Sequence, residues 1–229
     1  MTGRLSPEMV AAYLREIGID YLPVPSRAGK PAPAEKTAAL PASVAAGETL
    51  EDIRKELLSC RGCPLCAGRR TIVFGVGSPR ARLMFVGEGP GEEEDRQGEP
   101  FVGAAGRRLN QWIERLGLRR GDVYIANIVK CRPPGNRAPL PEEAASCLPY
   151  VKRQIRAIRP EAICTLGAVA LQYLLGTAEK ITRVRGKWKE LEGIPVLPTY
   201  HPAFILRNQT RETEVFADLD LLSERLHLK

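Results

Sequence analysis

Four short hydrophobic runs recur along the chain, and stretches with helical spacing separate them. The runs lie at 82–88, 122–129, 161–167 and 194–200. Runs of this length, bounded by turn residues, are typical of buried β-strands. The helical stretches lie at about 104–117, 141–158, 167–175 and 211–227. Because strands alternate with helices, the pattern predicts an α/β protein: a three-layer α/β/α fold around a central, mostly parallel four-stranded sheet.

The first fifty residues follow a different pattern. Residues 6–17 have the spacing of a short amphipathic helix, with Ser6 as its N-cap. Residues 22–47 are rich in proline and alanine, a composition that cannot build a core and is typical of a linker. Thr49 then caps the first helix of the domain. We therefore predict an N-terminal amphipathic helix within 1–20, a linker over 21–48 and one domain over 49–229.

The predicted strands also locate a candidate site. In a doubly wound parallel sheet, ligands bind beyond the carboxyl ends of the strands. Glu88, Asn127, Gly167 and His201 each lie at or just past the end of a predicted strand. We therefore expect these residues at one edge of the sheet.

The charge is distributed unevenly along the chain. The 229 residues carry a formal net charge of +7, with a pI near 9.2. Residues 1–50 hold five basic and five acidic residues, so the whole positive excess lies in residues 51–229. A basic domain fits a polyanionic partner such as nucleic acid, because each Lys or Arg on a phosphate releases counterions. A solvated, arginine-rich surface is the alternative that charge alone leaves open.

The hydrophobic content bounds the class of protein. No apolar run approaches the roughly 20 residues that a membrane-spanning helix needs. The N-terminal residues also lack the apolar core and cleavage site of a secretory signal. We expect a cytoplasmic protein that does not contact membranes and acts as a monomer. Its six cysteines are then reduced thiols or metal ligands rather than a disulfide framework.

Four cysteines have a spacing typical of metal ligands: C-x2-C, a long gap and C-x15-C. They are Cys60, Cys63, Cys131 and Cys147. On spacing alone, four thiolates could bind a structural zinc ion. Cys66 extends the first pair toward a ferredoxin-like run, but position 70 is Arg, so we interpret Cys66 as a spare thiol. Cys164 lies inside a predicted strand and is expected in the core.

Several ordered motifs resemble one family. They are GEGPGEEED at 87–95, GEPFVGAAGRRLN at 98–110, NIVKCRPPGNRAPLPEEAASC at 127–147, and RGKW followed by PTYHPAFILR at 198–207. These segments resemble the family 4 uracil-DNA glycosylases over about residues 60–210. The resemblance implies hydrolysis of the N-glycosidic bond of uracil in single- or double-stranded DNA, which leaves an abasic site for base excision repair.

The resemblance assigns roles in base recognition. Phe101 would stack on a flipped uracil, and Asn127 would match O4 and N3–H of the base. His201 would contact uracil and stabilise charge on its O2. Without the motifs, Phe101 would be read as a core aromatic, Asn127 as a turn residue and His201 as a structural histidine. Backbone groups of Gly87, Glu88 and Gly89 would enclose the base.

The acidic loop does not show which group positions the attacking water. Gly89 stands where the better-known family 1 enzymes have a water-orienting aspartate, so no general base is evident at that position. Glu88 and Glu94 join His201 as the candidate catalytic residues, and partly ionised carboxylates could stabilise an oxocarbenium-like sugar. Glu94 or Asp95 could position the water or brace the loop. Two further acids, Glu92 and Glu93, are expected to be solvated.

The resemblance also implies DNA contacts and a cofactor. The apolar segment 203–206, ending in Leu206, would enter the minor groove as a wedge. Candidate phosphate contacts are Arg137, Arg183, Arg185, Lys187 and Arg207, each of which could equally belong to an ordinary hydrophilic loop. For Cys60, Cys63, Cys131 and Cys147, the resemblance favours a [4Fe-4S] cluster over zinc, as a scaffold rather than an electron carrier.

Two other functions remain open at this stage. A related group of the superfamily traps uracil-DNA covalently through a loop histidine, but TRVRGKWKE contains none. That absence favours turnover. An iron-sulfur or zinc module that binds nucleic acid without catalysis would tolerate loss of Asn127 and His201. The N-terminal helix could dock a repair or replication partner, although no motif supports this.

Overall fold

The computed structural model describes residues 47–228, so the predicted N-terminal helix and nearly all of the predicted linker lie outside the described residues. Within this range a six-stranded mixed sheet has the order β1-β3-β2-β4-β6-β5. The strands are β1 (Val76–Gly77), β2 (Leu83–Gly87), β3 (Tyr124–Asn127), β4 (Ala162–Leu166), β5 (Lys189–Leu191) and β6 (Ile194–Thr199).

The prediction of four strands is wrong in number. The predicted strands correspond to β2, β3, β4 and β6, which pair in parallel at the centre of the sheet. The two added strands, β1 and β5, are antiparallel and lie at the edges. Neither has a buried residue, so no hydrophobic run marks them in the sequence. β1 pairs with β3, which is distant along the chain, whereas β5 forms a hairpin with β6 across Glu192 and Gly193.

Eight α-helices accompany the sheet within the described range. They are α1 (Leu50–Leu58), α2 (Glu92–Gln97), α3 (Ala104–Arg115), α4 (Pro141–Ile158), α5 (Gly167–Leu175), α6 (Ile181–Val184), α7 (Pro202–Arg207) and α8 (Glu212–Leu226). The predicted cap of α1 is confirmed, because the Thr49 side chain accepts from Asp52 N and Asp52 accepts from Thr49 N. None of the helices described here is long and apolar enough to cross a bilayer.

Two hydrophobic clusters cover the two faces of the sheet. Leu83 and Phe85 of β2 pack into a cluster with α3 and α8. The alternate residues, Met84 and Val86, pack into a second cluster with α4 and α5. Successive side chains of a strand point to opposite faces, so β2 is buried on both sides. Helices therefore lie on both faces of the sheet, in three layers.

Candidate active site

A cavity of about 530 Å³ opens at the carboxyl edge of the parallel strands. We call it the base cavity. Its walls include eight of the predicted site residues: Glu88, Gly89, Glu94, Phe101, Asn127, Arg137, His201 and Arg207. Gly167, the fourth residue expected at this edge, has a φ of +90° and lies under His201, where an added Cβ would be 3.0 Å from the histidine Cβ. The edge predicted from the strand ends is therefore the edge that carries the cavity.

Asn127 ends β3 with an unused acceptor. The residue is 1% exposed, and its Oδ1 is buried without a hydrogen-bond partner among the described residues. A buried unsatisfied acceptor costs about 1–3 kcal/mol. Gly87 lies opposite Asn127 in the register of β2 and β3. A Cβ at Gly87 would come within 2.5 Å of both Oδ1 and the Phe101 ring, so only glycine leaves this corner open.

Phe101 belongs to the cavity wall and to the core. It is 6% exposed, packs in the cluster that covers α3 and α8, and adopts a φ of 55°. The centroids of the Phe101 and His201 rings lie 5.6 Å apart, and the angle between the ring planes is 33°. Gly106 permits the close approach of the chain, because a Cβ there would be 1.9 Å from the Phe101 carbonyl oxygen. The core interpretation and the cavity interpretation of Phe101 therefore both hold.

His201 is held as a neutral imidazole. It caps α7, and its Nδ1 accepts a hydrogen bond from Ala203 N at 3.1 Å. An accepting Nδ1 carries no proton, so the proton of the neutral ring is on Nε2. Burial, with a smaller contribution from the positive charge of Arg207, lowers the pKa of His201 to about 4, and Glu94 opposes the shift. At neutral pH, His201 offers an uncharged N–H donor.

Glu94 connects two segments of the cavity wall. Its Oε1 accepts from Val102 N and Gly103 N, both at 2.9 Å, and its Oε2 accepts from Gly91 N at 3.1 Å. Three backbone donors therefore occupy the carboxylate, and this geometry favours the bracing interpretation of Glu94 over a catalytic one. Asp95 is buried and accepts from Arg70 N and Thr71 N. Asp95 therefore fixes the segment after the cysteines rather than a water.

The other acids of the loop differ in their surroundings. Glu88 lines the cavity, its carboxylate accepts no hydrogen bond from the residues described, and burial raises its pKa. Glu92 and Glu93 are exposed and pair with Arg132 and Arg96, in line with the solvated interpretation.

Gly89 has a steric reason to lack a side chain. A Cβ there would lie 2.7 Å from Cγ2 of Val129. An aspartate at this position would therefore require Val129 to move.

Similarity to known proteins agrees with this site. The uracil DNA glycosylase superfamily matches residues 74–220. A type-4 uracil-DNA glycosylase of Thermotoga maritima is 47% identical over 169 residues, which cover 72% of this chain and 87% of the relative. The chain belongs to the type-4 uracil-DNA glycosylase family. Type-4 enzymes of Archaeoglobus fulgidus and Sulfurisphaera tokodaii are 48% and 50% identical, over 87% and 77% of their own lengths.

The predicted DNA contacts of this type-4 family member divide into two groups. Arg207 is exposed on the cavity wall, Leu206 is half-buried in α7, and Lys187 and Arg183 are exposed. Arg185, by contrast, is 17% exposed and contacts Asp218 and Glu214.

Internal ion pairs change the interpretation of two arginines. Arg137 lines the cavity wall but donates to both oxygens of the buried Glu143, at 2.7 and 2.8 Å. Arg185 holds the buried Asp218, which also accepts from Thr199 Oγ1. The role of Arg185 as a phosphate contact stays a prediction, and the structure adds that its donors already have protein partners. A basic residue in a glycine-containing loop does not reveal such a partner in the sequence.

The cysteines of this family member lie around a second, smaller cavity. We call it the thiol cavity; its lining includes Cys60, Cys63, Cys66, Cys131 and Cys147. All are free thiols, and Cys66 joins the four predicted ligands. Burial raises the pKa of Cys147 to about 12, while Lys130 opposes the shift. Cys164 is fully buried, which confirms its place in the core.

The thiol cavity also contains two cationic residues that the sequence interpretation missed. Arg69 Nη1 lies 3.3 Å from Cys131 Sγ, and the backbone N of Lys130 donates to Cys147 Sγ at 3.3 Å. Lys130 could have been noticed as a lysine directly after the hydrophobic segment 122–129. No three Cys, His, Asp or Glu side chains within residues 47–228 lie close enough, as placed, to coordinate one metal ion.

Proposed function

We propose that this protein excises uracil from DNA by hydrolysing its N-glycosidic bond, leaving an abasic site for base excision repair. The observation that carries the proposal is the unpartnered Oδ1 of Asn127, buried in the wall of the base cavity. Membership in the type-4 family supports the same chemistry. A target base must leave the duplex to reach such a cavity, at a cost of a few kcal/mol.

Recognition would rest on the Asn127 amide. Its Oδ1 accepts from uracil N3–H, and its Nδ2 donates to uracil O4. Cytosine offers an acceptor at N3 and a donor at its amino group, so both contacts would be mismatched. Phe101 in the same wall supplies an aromatic surface, and stacking of a base on such a ring is worth about 1–3 kcal/mol. Gly87 keeps the corner open for the base.

Catalysis would rest on charge stabilisation by preorganised groups. Bond cleavage places negative charge on the departing uracil and positive charge on the sugar. The neutral His201 would donate from Nε2 to uracil O2, where the negative charge grows. Glu88, whose carboxylate has no partner among the described residues, is our candidate for the group that faces the sugar and the attacking water. Glu94 would hold the loop that carries Glu88.

Contacts to DNA would come from the rim of the base cavity. Leu206 of α7 is the proposed wedge, and the exposed Arg207 beside it is the proposed phosphate contact. Lys187 and Arg183 are further candidates because both are exposed. The predictions of a monomer, a cytoplasmic location and a partner for the N-terminal helix stay predictions.

We further propose that Cys60, Cys63, Cys131 and Cys147 hold a [4Fe-4S] cluster. Four thiol donors around one cavity, with two cationic side chains close by, fit an anionic thiolate-ligated group. No three of the described thiols lie close enough to ligate a single metal ion, whereas a four-iron cluster takes one thiolate on each iron. When bound, the cluster would supply a structural cross-link between segment 60–66 and segment 128–147. Zinc is the second candidate for the same ligands.

One assay tests the proposed function. Purified protein is incubated with oligonucleotides that carry one uracil, cytosine or thymine, and alkali then reveals abasic sites. We expect strand cleavage for uracil alone, with many turnovers per protein molecule. Cleavage limited to one event per molecule would indicate the covalent-trap alternative. If protein with a full complement of iron does not cleave the uracil oligonucleotide, the proposed glycosylase activity is rejected.

A further inference from the structure

Lys130 is a buried cation without a carboxylate partner. Its side chain is 1% exposed, and its Nζ donates to the neutral Oε1 of Gln154 at 2.7 Å. Gln154 is itself fixed, since its Nε2 donates to Phe74 O and to the Tyr124 hydroxyl. No ion pair of residues 47–228 includes Lys130, and the nearby ionisable group that favours its charge is Cys147. A buried ammonium without an anion is costly, so an anion close to Lys130 would stabilise its charge.

Arg69 provides a second cation at the same cavity. It is half-buried, its Nη1 points to Cys131 Sγ at 3.3 Å, and its Nη2 donates to Cys60 O at 2.9 Å. No carboxylate among the described residues pairs with it, and the groups that favour its charge are the thiols of Cys131, Cys66 and Cys60. The Arg69 guanidinium is therefore directed at sulfur, whereas Lys130 reaches Cys147 Sγ through its backbone N and keeps its ammonium on Gln154 at the same cavity.

This arrangement matches the charge of a thiolate-ligated cluster. A [4Fe-4S] group held by four thiolates is a dianion in its usual resting state, and each added electron makes it more negative. We propose that Arg69 and Lys130 are the counter-charges of this dianion, and that they set its reduction potential and its resistance to oxidative loss. The proposal rests on the proposed cluster. It assigns Arg69 and Lys130 as positioning and charge-balancing residues, outside the base chemistry.

The two cations should act unequally. Lys130 is fully buried, so its charge is weakly screened, whereas half-buried Arg69 is partly screened by water. Removing either cation should make the reduced cluster less favourable and so lower the midpoint potential. Arg61 offers a matched control: it lies between Cys60 and Cys63 but is exposed, so its removal changes the formal charge equally in a well-screened position.

The test uses holoprotein purified without oxygen, with iron and sulfide content measured first. Midpoint potentials and the half-life of the cluster absorbance in air are then compared for wild type, Lys130→Met, Arg69→Gln, Arg69→Lys and Arg61→Gln. We expect Lys130→Met to change the reduction constant about tenfold, which is ~59 mV for a one-electron couple. Arg69→Gln should lower the midpoint potential by less. Arg69→Lys should keep a potential close to that of wild type, and Arg61→Gln should match wild type. Air bleaching should accelerate several-fold in the order of the potential shifts.

Equal potentials in Lys130→Met, Arg69→Gln and Arg61→Gln, at full iron content, would overturn the proposal while leaving the cluster in place. If Lys130→Met does not fold, the midpoint potentials of Arg69→Gln and Arg69→Lys test the proposal instead, because these two variants differ mainly in charge. Wild-type protein that lacks iron and sulfide would overturn both the cluster and its counter-charges. Uracil excision is measured separately, so its loss or retention identifies a failure of the proposed function alone.

Discussion

The base cavity and the thiol cavity differ in the charge of their buried polar groups. In the base cavity, the buried groups are neutral or acceptors: an amide with a free oxygen, a neutral histidine and a carboxylate whose pKa burial raises. In the thiol cavity, two cations lie among the thiols without any carboxylate among the described residues to pair with them. The first cavity is suited to a neutral hydrogen-bonding ligand, the second to an anion. The proposed base chemistry and the proposed cofactor binding therefore belong to separate cavities of one domain.

Replacing His201 should produce the largest loss in the base cavity. Removing one preorganised donor from a developing negative charge typically costs about 10²–10³-fold in kcat. We expect this loss for His201→Ala in single-turnover assays, with little change in DNA affinity. His227→Ala is the matched control, because that histidine follows α8 outside the base cavity. A loss of similar size in both variants would contradict the assignment.

The pH dependence sharpens the same point. Burial lowers the pKa of His201 to about 4 from an ordinary value of 6.5, so the folded protein binds this proton less readily than the unfolded chain. The stabilising contribution of neutral His201 is therefore complete above pH 6.5 and is lost as pH falls from 6.5 through about 4. Because His201 stays neutral between pH 6.5 and 8, its ionisation should not change the rate of excision over that range. An excision rate that rises as the pH falls from 8 to 6.5, and that no longer does so in His201→Ala, would contradict a neutral donor.

A substitution pair tests why the loop lacks a water-orienting aspartate. Gly89→Asp should lower kcat/KM about tenfold or more, because its Cβ would approach Val129 Cγ2 to 2.7 Å. Val129→Ala alone should cost stability but retain most of the activity. The double variant should recover activity relative to Gly89→Asp. Equal activity of the double and single variants would show that steric conflict with Val129 is not the cause.

Glu94 should affect stability through the loop that it braces. Glu94→Ala leaves Gly91 N, Val102 N and Gly103 N without their acceptor, so we expect a loss of about 1–3 kcal/mol in the free energy of unfolding. Denaturant unfolding measures it. The control is Glu93→Ala, whose exposed carboxylate pairs with Arg96 and Gln97 of its own segment. Unchanged stability in Glu94→Ala would reject the brace.

The smallest expected effect separates two arginines. Arg207→Gln should reduce the slope of log binding constant against log salt by about one while leaving the melting temperature unchanged. Arg185→Gln should instead lower the melting temperature, because it leaves Asp218 buried without its ion pair. Binding titrations over a salt series, paired with thermal unfolding, distinguish the two. The reverse pattern would restore Arg185 as a DNA contact.

The sequence was sufficient where the physical signal is local and insufficient where it depends on packing. Hydrophobic runs located the four parallel strands, and the strand ends placed Glu88, Asn127 and His201 at one edge. The edge strands β1 and β5 are too short and too exposed to leave such a run. The ion pair of Arg185 was missed because its partner, Asp218, lies 33 residues away along the chain.

The roles of individual polar atoms lay beyond the sequence for the same reason. That Asn127 Oδ1 lacks a partner follows from its burial beside Gly87 and Phe101, which no motif encodes. The three backbone donors of Glu94 come from two segments that meet only in the folded chain. Packing therefore supplies the observation that favours bracing over catalysis for this acid.

The most direct test of the account is Asn127→Ala, with its excision rate and its stability measured on the same preparation. The account predicts that single-turnover uracil release falls at least about 10²-fold, because the base loses its matching contacts. The free energy of unfolding should stay equal or rise, because a buried acceptor without a partner has been removed. Excision at the wild-type rate, or a loss of activity explained by unfolding, would contradict the claim that Asn127 is kept for the base.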